Sequence, residues 1–176
     1  MTRPAPSGGR DRDAAGRPRN ARPRDELGRP LSRDAGGEPP AADDTALPPA
    51  SALALAQQLI DDGRAFRAHE VLEAAWKAAP DGERELWQGL AQVAVGLTHA
   101  QRGNARGAVT LLRRGAARVG GYSPGAPHGI DAAGIARSAG LLADRIERAG
   151  LDAIPAGGMH IRITPPGNAN SATVNI

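Results

Sequence analysis

Between Leu86 and Gln101 the chain runs sixteen residues without an Asp, Glu, Lys or Arg. Within that run Leu86, Leu90, Val93 and Leu97 recur at i, i+4, i+7 and i+11, the spacing of one face of an α-helix. Gln88, Gln92, Gly96 and His99 fall on the opposite face. A helix with one face in water would carry Lys, Arg or Glu there, so the spacing predicts that both faces of this helix are covered. Any fold for this chain must place it centrally. The helix begins after Asp81, read as its N-cap, and continues to about residue 102.

Its neighbours follow from the same periodicity. Pro48-Pro49 opens a helix over about 49–62, with Leu53, Ala56, Leu59 and Ile60 on one side and Gly63 as a left-handed cap. A second helix runs from about 64 to 79 and stops at Pro80. Ala65, Ala68, Leu72, Ala75, Trp76 and Ala79 form its apolar face, while Arg67, Glu70 and Lys77 point to solvent. After the Gly103-Asn104 turn, a fourth helix spans about 105–119 with Ala108, Leu111, Leu112, Gly115 and Val119 inward. A Pro/Gly loop over 122–129 leads to a last helix at about 131–149, carrying Ile135, Ala139, Leu142 and Ile146 on one face. Aromatics are only 2% of the residues, and alanine supplies much of the 40% apolar fraction. Such a core suits close helix–helix packing better than a sandwich of strands. The expected fold is all-α, a compact bundle of about five helices.

The flanks read differently. Residues 1–48 are dominated by Arg, Asp, Gly, Pro and Ala and form a disordered tail in this reading, because they bury too little apolar surface to offset the entropy of ordering. Within the tail, Gly16 to Leu31 is a candidate arm that docks on the domain or on an acidic partner through Leu27 and Leu31. The domain is expected over 49–152, and 153–176 as a flexible C-terminal tail in which Met159 to Thr164 can form a short extended piece. No cysteine is present, so disulfides and thiolate metal sites are excluded. No stretch approaches the ~20 apolar residues of a membrane span, and no secretory leader is evident, so a cytoplasmic location is expected. The net charge is +3, but each part is nearly balanced. Residues 1–49 hold nine Arg against eight acids, and residues 50–155 hold twelve basic residues against eleven.

Three sets of residues resemble a known family. They are Phe66-x-x-His69-Glu70-x-x-Glu73-x-x-Trp76, Leu86-Trp87-Gln88-Gly89-Leu90-x-Gln92, and Gly103-Asn104-x-x-Gly107-Ala108. In combination, over about residues 50–150, they resemble domain-of-unknown-function family 309, small and mostly bacterial all-helical proteins. The arginine-rich stretch around Arg19 to Leu31 looks like the extension of its actinobacterial members. The resemblance implies a compact helical fold and no particular activity, substrate or cofactor.

Two constellations carry chemistry. His69 and Glu73 form an i,i+4 pair, and with His99 from the facing helix they supply three possible ligands for a divalent metal, with Gln88 and Gln92 behind them. Glu70 follows His69 as in His-Glu-x-x-His proteases, but position 73 is Glu, so that motif is absent. The other reading of His69, Glu73, Trp76, Gln88, Gln92 and His99 is a polar pocket or buried hydrogen-bond network that sets helix register. The second constellation is basic. No acid occurs from Leu86 to Ile130, while Arg102, Arg106, Arg113, Arg114 and Arg118 cluster around the fourth helix. That patch suits nucleic acid or an acidic protein partner. A purely structural role is the third possibility. Trp76 and Trp87 read as core or interface anchors. If Trp87 lay outside the core, the Ala/Gly flank of the third helix would offer a homodimer surface. His128 and His160, in loops, are assigned no role.

Overall fold

The computed structural model describes residues 25, 27–29, 31–32 and 46–164. The chain divides into two units, Met1–Ala42 and Asp43–Ile176. In the first, the Asp25 carboxylate accepts from the Arg29 N–H at 2.7 Å and its carbonyl accepts from Gly28 N–H, a local turn that uses Gly28 at φ +74. The rest of the tail and most of the candidate arm lie outside the described residues.

The second unit is all-α. Its helices are α1 (Pro49–Asp61), α2 (Ala65–Ala78), α3 (Asp81–Gln101), α4 (Ala105–Gly120) and α5 (Ala132–Ala149). Each packs mainly on its neighbours in sequence, and α3 lies between α2 and α4. Short connections make neighbours antiparallel. Gln101 at the end of α3 accordingly donates to the Gly63 carbonyl just before α2, at 2.8 Å. The expected boundaries hold to within two residues, with Gly63 at φ +75 after α1. The α3 entry differs. Pro80 is its N-cap, and Asp81 is the first helical residue, with a side chain that makes no cap. Asp81 there is an acid in the first turn, where the helix dipole favours one, and it lies 3.8 Å from Arg84.

The core stripe of α3 is fully buried at Leu86, Leu90, Val93 and Leu97, and so is Trp87. Contact between α3 and α4 is made by glycines. A Cβ on Gly89 would lie 2.8 Å from Val119 Cγ2, one on Gly96 would lie 2.8 Å from Leu112 Cγ, and one on Gly115 would lie 2.7 Å from the Gly89 carbonyl oxygen. The small-residue flank of α3 is therefore used inside the bundle, and Trp87 sits in the core, so the condition attached to a homodimer face on that flank is not met. Leu111, expected inward, is half-exposed. Arg67 and Glu70, expected in solvent, pair at 2.7 Å with side chains only 15% and 20% exposed.

The packed chain also continues beyond residue 152, where the sequence reading began a flexible tail. Ile154, Ile161 and Ile163 are buried. The extended piece finds its partner in one side chain of α1. Gln57 Oε1 accepts from the N–H of Ile163 at 2.6 Å and of Thr164 at 3.3 Å, while Gln57 Nε2 donates to the Ile161 carbonyl at 3.5 Å. A primary amide offers a donor and an acceptor side by side, as a neighbouring strand does. Gln57 thereby satisfies a segment that has no ladder.

Candidate functional site

Around α3, every residue from Leu86 to Ala100 is buried except Gln88, Gln92, Val95 and His99, which are half-exposed. Their spacing of four, three and four residues makes one stripe along the helix, continued by Arg102. The predicted covering of the polar face is thus partial, and the stripe lies on the side of α3 away from its leucines.

On α2 the half-exposed residues include Phe66, His69, Glu73 and Trp76, again one face. His69 Nε2 lies 3.4 Å from Glu73 Oε2, and Lys77 Nζ lies 3.4 Å from Glu73 Oε1. The Phe66 ring meets the His69 ring edge-on at 6.2 Å. Arg102, from the end of α3, places its guanidinium carbon 5.6 Å from the Phe66 centroid, a cation–π contact that ties the two faces together at this end. Gln92 Oε1 is enclosed and has no hydrogen-bond partner, an uncommon state for an amide oxygen.

His99 is held from the other side. Asn104 caps α4 by accepting from Gly107 N–H at 2.9 Å, and its Nδ2 lies 2.8 Å from His99 Nδ1. A Cβ on Gly107 would come within 2.7 Å of His99 Nδ1 and 2.6 Å of Asn104 Nδ2. Gly107 and Asn104 of the Gly-Asn-x-x-Gly segment thus have a physical reason, since together they position the His99 imidazole. Burial and then the Arg102 charge hold the His99 pKa below its ordinary 6.5.

The three residues offered as metal ligands are not brought together. Among the described residues no three His, Asp or Glu side chains converge as a group able to hold a metal ion, so His69, Glu73 and His99 do not form one. His69 and Glu73 face each other along α2, while His99 turns its Nδ1 to Asn104.

The basic patch is also rearranged. Arg113 is gripped by Glu147 and Asp144 of α5 at 2.7 Å each. Those hydrogen bonds raise its pKa further and lower that of Glu147. Arg118 pairs with Glu85, and Arg102 covers Phe66. The acids that answer Arg113 and Arg118 lie outside the acid-free run, Glu85 at its edge and Asp144 and Glu147 on α5, so linear spacing hid them. Arg106 and Arg114 are exposed. Arg106 and Arg113 border an open groove of about 600 Å³ between α4 and α5, with Val109 and Ile146 in its lining.

One cluster was not foreseen. Glu83 Oε2 accepts from Trp87 Nε1 at 3.1 Å and lies 2.8 Å from His128 Nε2, while the His128 ring sits 5.9 Å from the Trp87 indole. Tyr122 O–H donates to the Gly82 carbonyl at 2.8 Å. The α4–α5 loop is strapped in this way across the first turns of α3. His128 and Glu83 are 45 positions apart, and nothing local signals that they meet. The His128 hydrogen bond is the main cause that lowers the Glu83 pKa from 4.5. A depressed carboxylate stabilises the fold above its ordinary pKa and ceases to as pH falls below it. Thermal unfolding of Glu83→Gln measured from pH 7 to pH 3 is expected to show a shallower loss below pH 4.5 than the parent chain. Parallel curves would mean that the strap carries no proton linkage.

Among the described residues no helix is long and apolar enough to cross a membrane. Compared with known families, residues 53–111 match a model described as Domain of unknown function (DUF309). That span covers most of α1 and runs through the first turns of α4, and so contains both faces of the α2–α3 site. No curated protein and no solved structure matches the chain.

Proposed function

We propose, from the match of residues 53–111 to the DUF309 model, that the chain is a cytoplasmic ligand-binding protein whose site is the polar groove over α3. Its floor is Gln88, Gln92 and His99, and its wall is His69, Glu73 and Trp76 of α2. The observation that carries this reading is the Gln92 side-chain oxygen, enclosed and without a partner beside a half-exposed polar stripe. A primary amide in a packed interior normally has its hydrogen bonds satisfied, and leaving one unmade costs about 1–3 kcal/mol. That cost is recovered if a bound molecule, after a small rotation of the amide, donates to the oxygen. A network built only for packing would close on itself. The scatter of the His and Glu donors favours a small polar ligand over a metal ion.

The test uses the full chain labelled with 15N, a panel of small soluble carboxamides and carboxylates, and zinc chloride. Compounds that bind are expected to shift signals of His69, Gln92 and His99, and their affinity is expected to fall at least tenfold in His69→Ala and in Gln92→Ala. Binding that maps instead to Val109 and Ile146, or that is unchanged in both variants, would remove the proposal. Stoichiometric metal in protein purified without a histidine tag, lost in His69→Ala, would replace it with a metal centre.

A further inference from the structure

We infer that the His99 end of this groove receives an anionic oxygen, a carboxylate or a phosphate, through an imidazole Nε2–H whose tautomer is set by Asn104. The inference rests on the groove being a binding site and specifies what that site takes at one end.

Gly107 N–H can only donate, so the Asn104 atom 2.9 Å from it is the amide oxygen. The other Asn104 atom, 2.8 Å from His99 Nδ1, is then the amide nitrogen, which only donates. Nδ1 must accept and carries no proton. In the neutral ring the proton is therefore on Nε2. Among the described residues Nε2 has no partner, and it is not among the enclosed polar atoms. A donor of fixed identity is thus left accessible and without a partner among the described residues.

The surrounding charges agree with that polarity. Arg102 lies one turn along on the same helix, close enough to disfavour a protonated His99. Arg106 is exposed in the first turn of α4. On α2 the nearest candidate acid, Glu73, is taken up by its contacts with His69 and Lys77 of the same helix. An anionic oxygen at Nε2 gains a hydrogen bond and the Arg102 field together. A divalent cation gains neither, because it needs a bare ring nitrogen, and one nitrogen is bonded to Asn104 while the other bears the proton.

The test separates tautomer from binding. Long-range 1H–15N correlation at pH 7.5 reports which ring nitrogen is protonated. The native chain is expected to show a bare Nδ1 and a protonated Nε2. Sodium acetate or sodium phosphate is expected to shift the His99 Nε2–H signal and raise the His99 pKa, relative to sodium chloride at equal ionic strength. A response to acetate alone assigns a carboxylate, and to phosphate alone a phosphate. Asn104→Asp keeps an N-cap oxygen but presents a second acceptor to the ring, which moves the proton to Nδ1. In that variant the anion response is expected to drop at least tenfold while zinc affinity rises. Gly107→Ala, which crowds the same atoms, is expected to weaken the response as well. A native Nδ1–H tautomer would overturn the inference, as would the correct tautomer with no shift from either anion. Carboxamide shifts at His69 and Gln92 with His99 silent would sink it while leaving the groove intact.

Discussion

Trp87→Ala is expected to cost about 3–5 kcal/mol, the range for truncating a buried large aromatic. The indole is 1% exposed among the leucines of α3, so truncation leaves a cavity at the centre of the bundle. It also removes the N–H that holds Glu83 and the ring that His128 rests on, which loosens the strap. Trp87→Phe keeps most of the apolar volume and loses the donor, so its cost is expected near 1–2 kcal/mol. Chemical denaturation of both variants measures the difference. Equal losses would show that the hydrogen bond to Glu83, and not the packing, dominates. A loss below about 1 kcal/mol for alanine would mean that the core closes around the gap.

Gly115→Ala is the second large effect. One added methyl would sit 2.7 Å from the Gly89 carbonyl oxygen, 2.7 Å from Val93 Cγ2 and 2.9 Å from the Val93 nitrogen. Two of those three atoms are backbone of α3, so no rotamer change relieves the contact and the helices must separate. Overpacking of this kind costs about 1–3 kcal/mol, and the upper end is expected because backbone has to move. For a domain of this size that is a fall of roughly 8–12 °C in Tm. Gly140→Ala, on α5, meets nothing within 4 Å and is expected to be neutral or mildly stabilising through helix propensity. A scan of both variants decides it. Similar melting for the two would mean that α3 and α4 are not held at glycine distance.

The five helices were readable in the chain because each repeats its apolar residues at helical spacing and ends at Gly or Pro. Leu86, Leu90, Val93 and Leu97 define the central helix unaided. The candidate groove was readable as a set of residues, His69, Glu73, Trp76, Gln88, Gln92 and His99, since periodicity assigns each to a face. It was not readable as chemistry. Whether His99 turns toward His69 and Glu73 or toward Asn104 depends on a hydrogen bond made across the turn between two helices. The same holds for the arginines of α4. Composition shows an acid-free run, whereas Glu85, Asp144 and Glu147 reach Arg118 and Arg113 from elements before and after it.

What this sequence determines alone is therefore local: helix positions, their ends, and which side of each is apolar. Those properties follow from interactions between residues three or four apart, which the order of residues specifies directly. Tertiary structure decided the pairings over tens of positions, namely Glu83 with His128, Gln57 with the 161–164 segment, and Arg113 with α5. Each depends on how two helices are rotated about their axes, which side-chain volume and glycine contacts set together. Gly89, Gly96 and Gly115 draw α4 close to α3, and it is across that α3–α4 pair that Asn104 meets His99 and Arg118 meets Glu85.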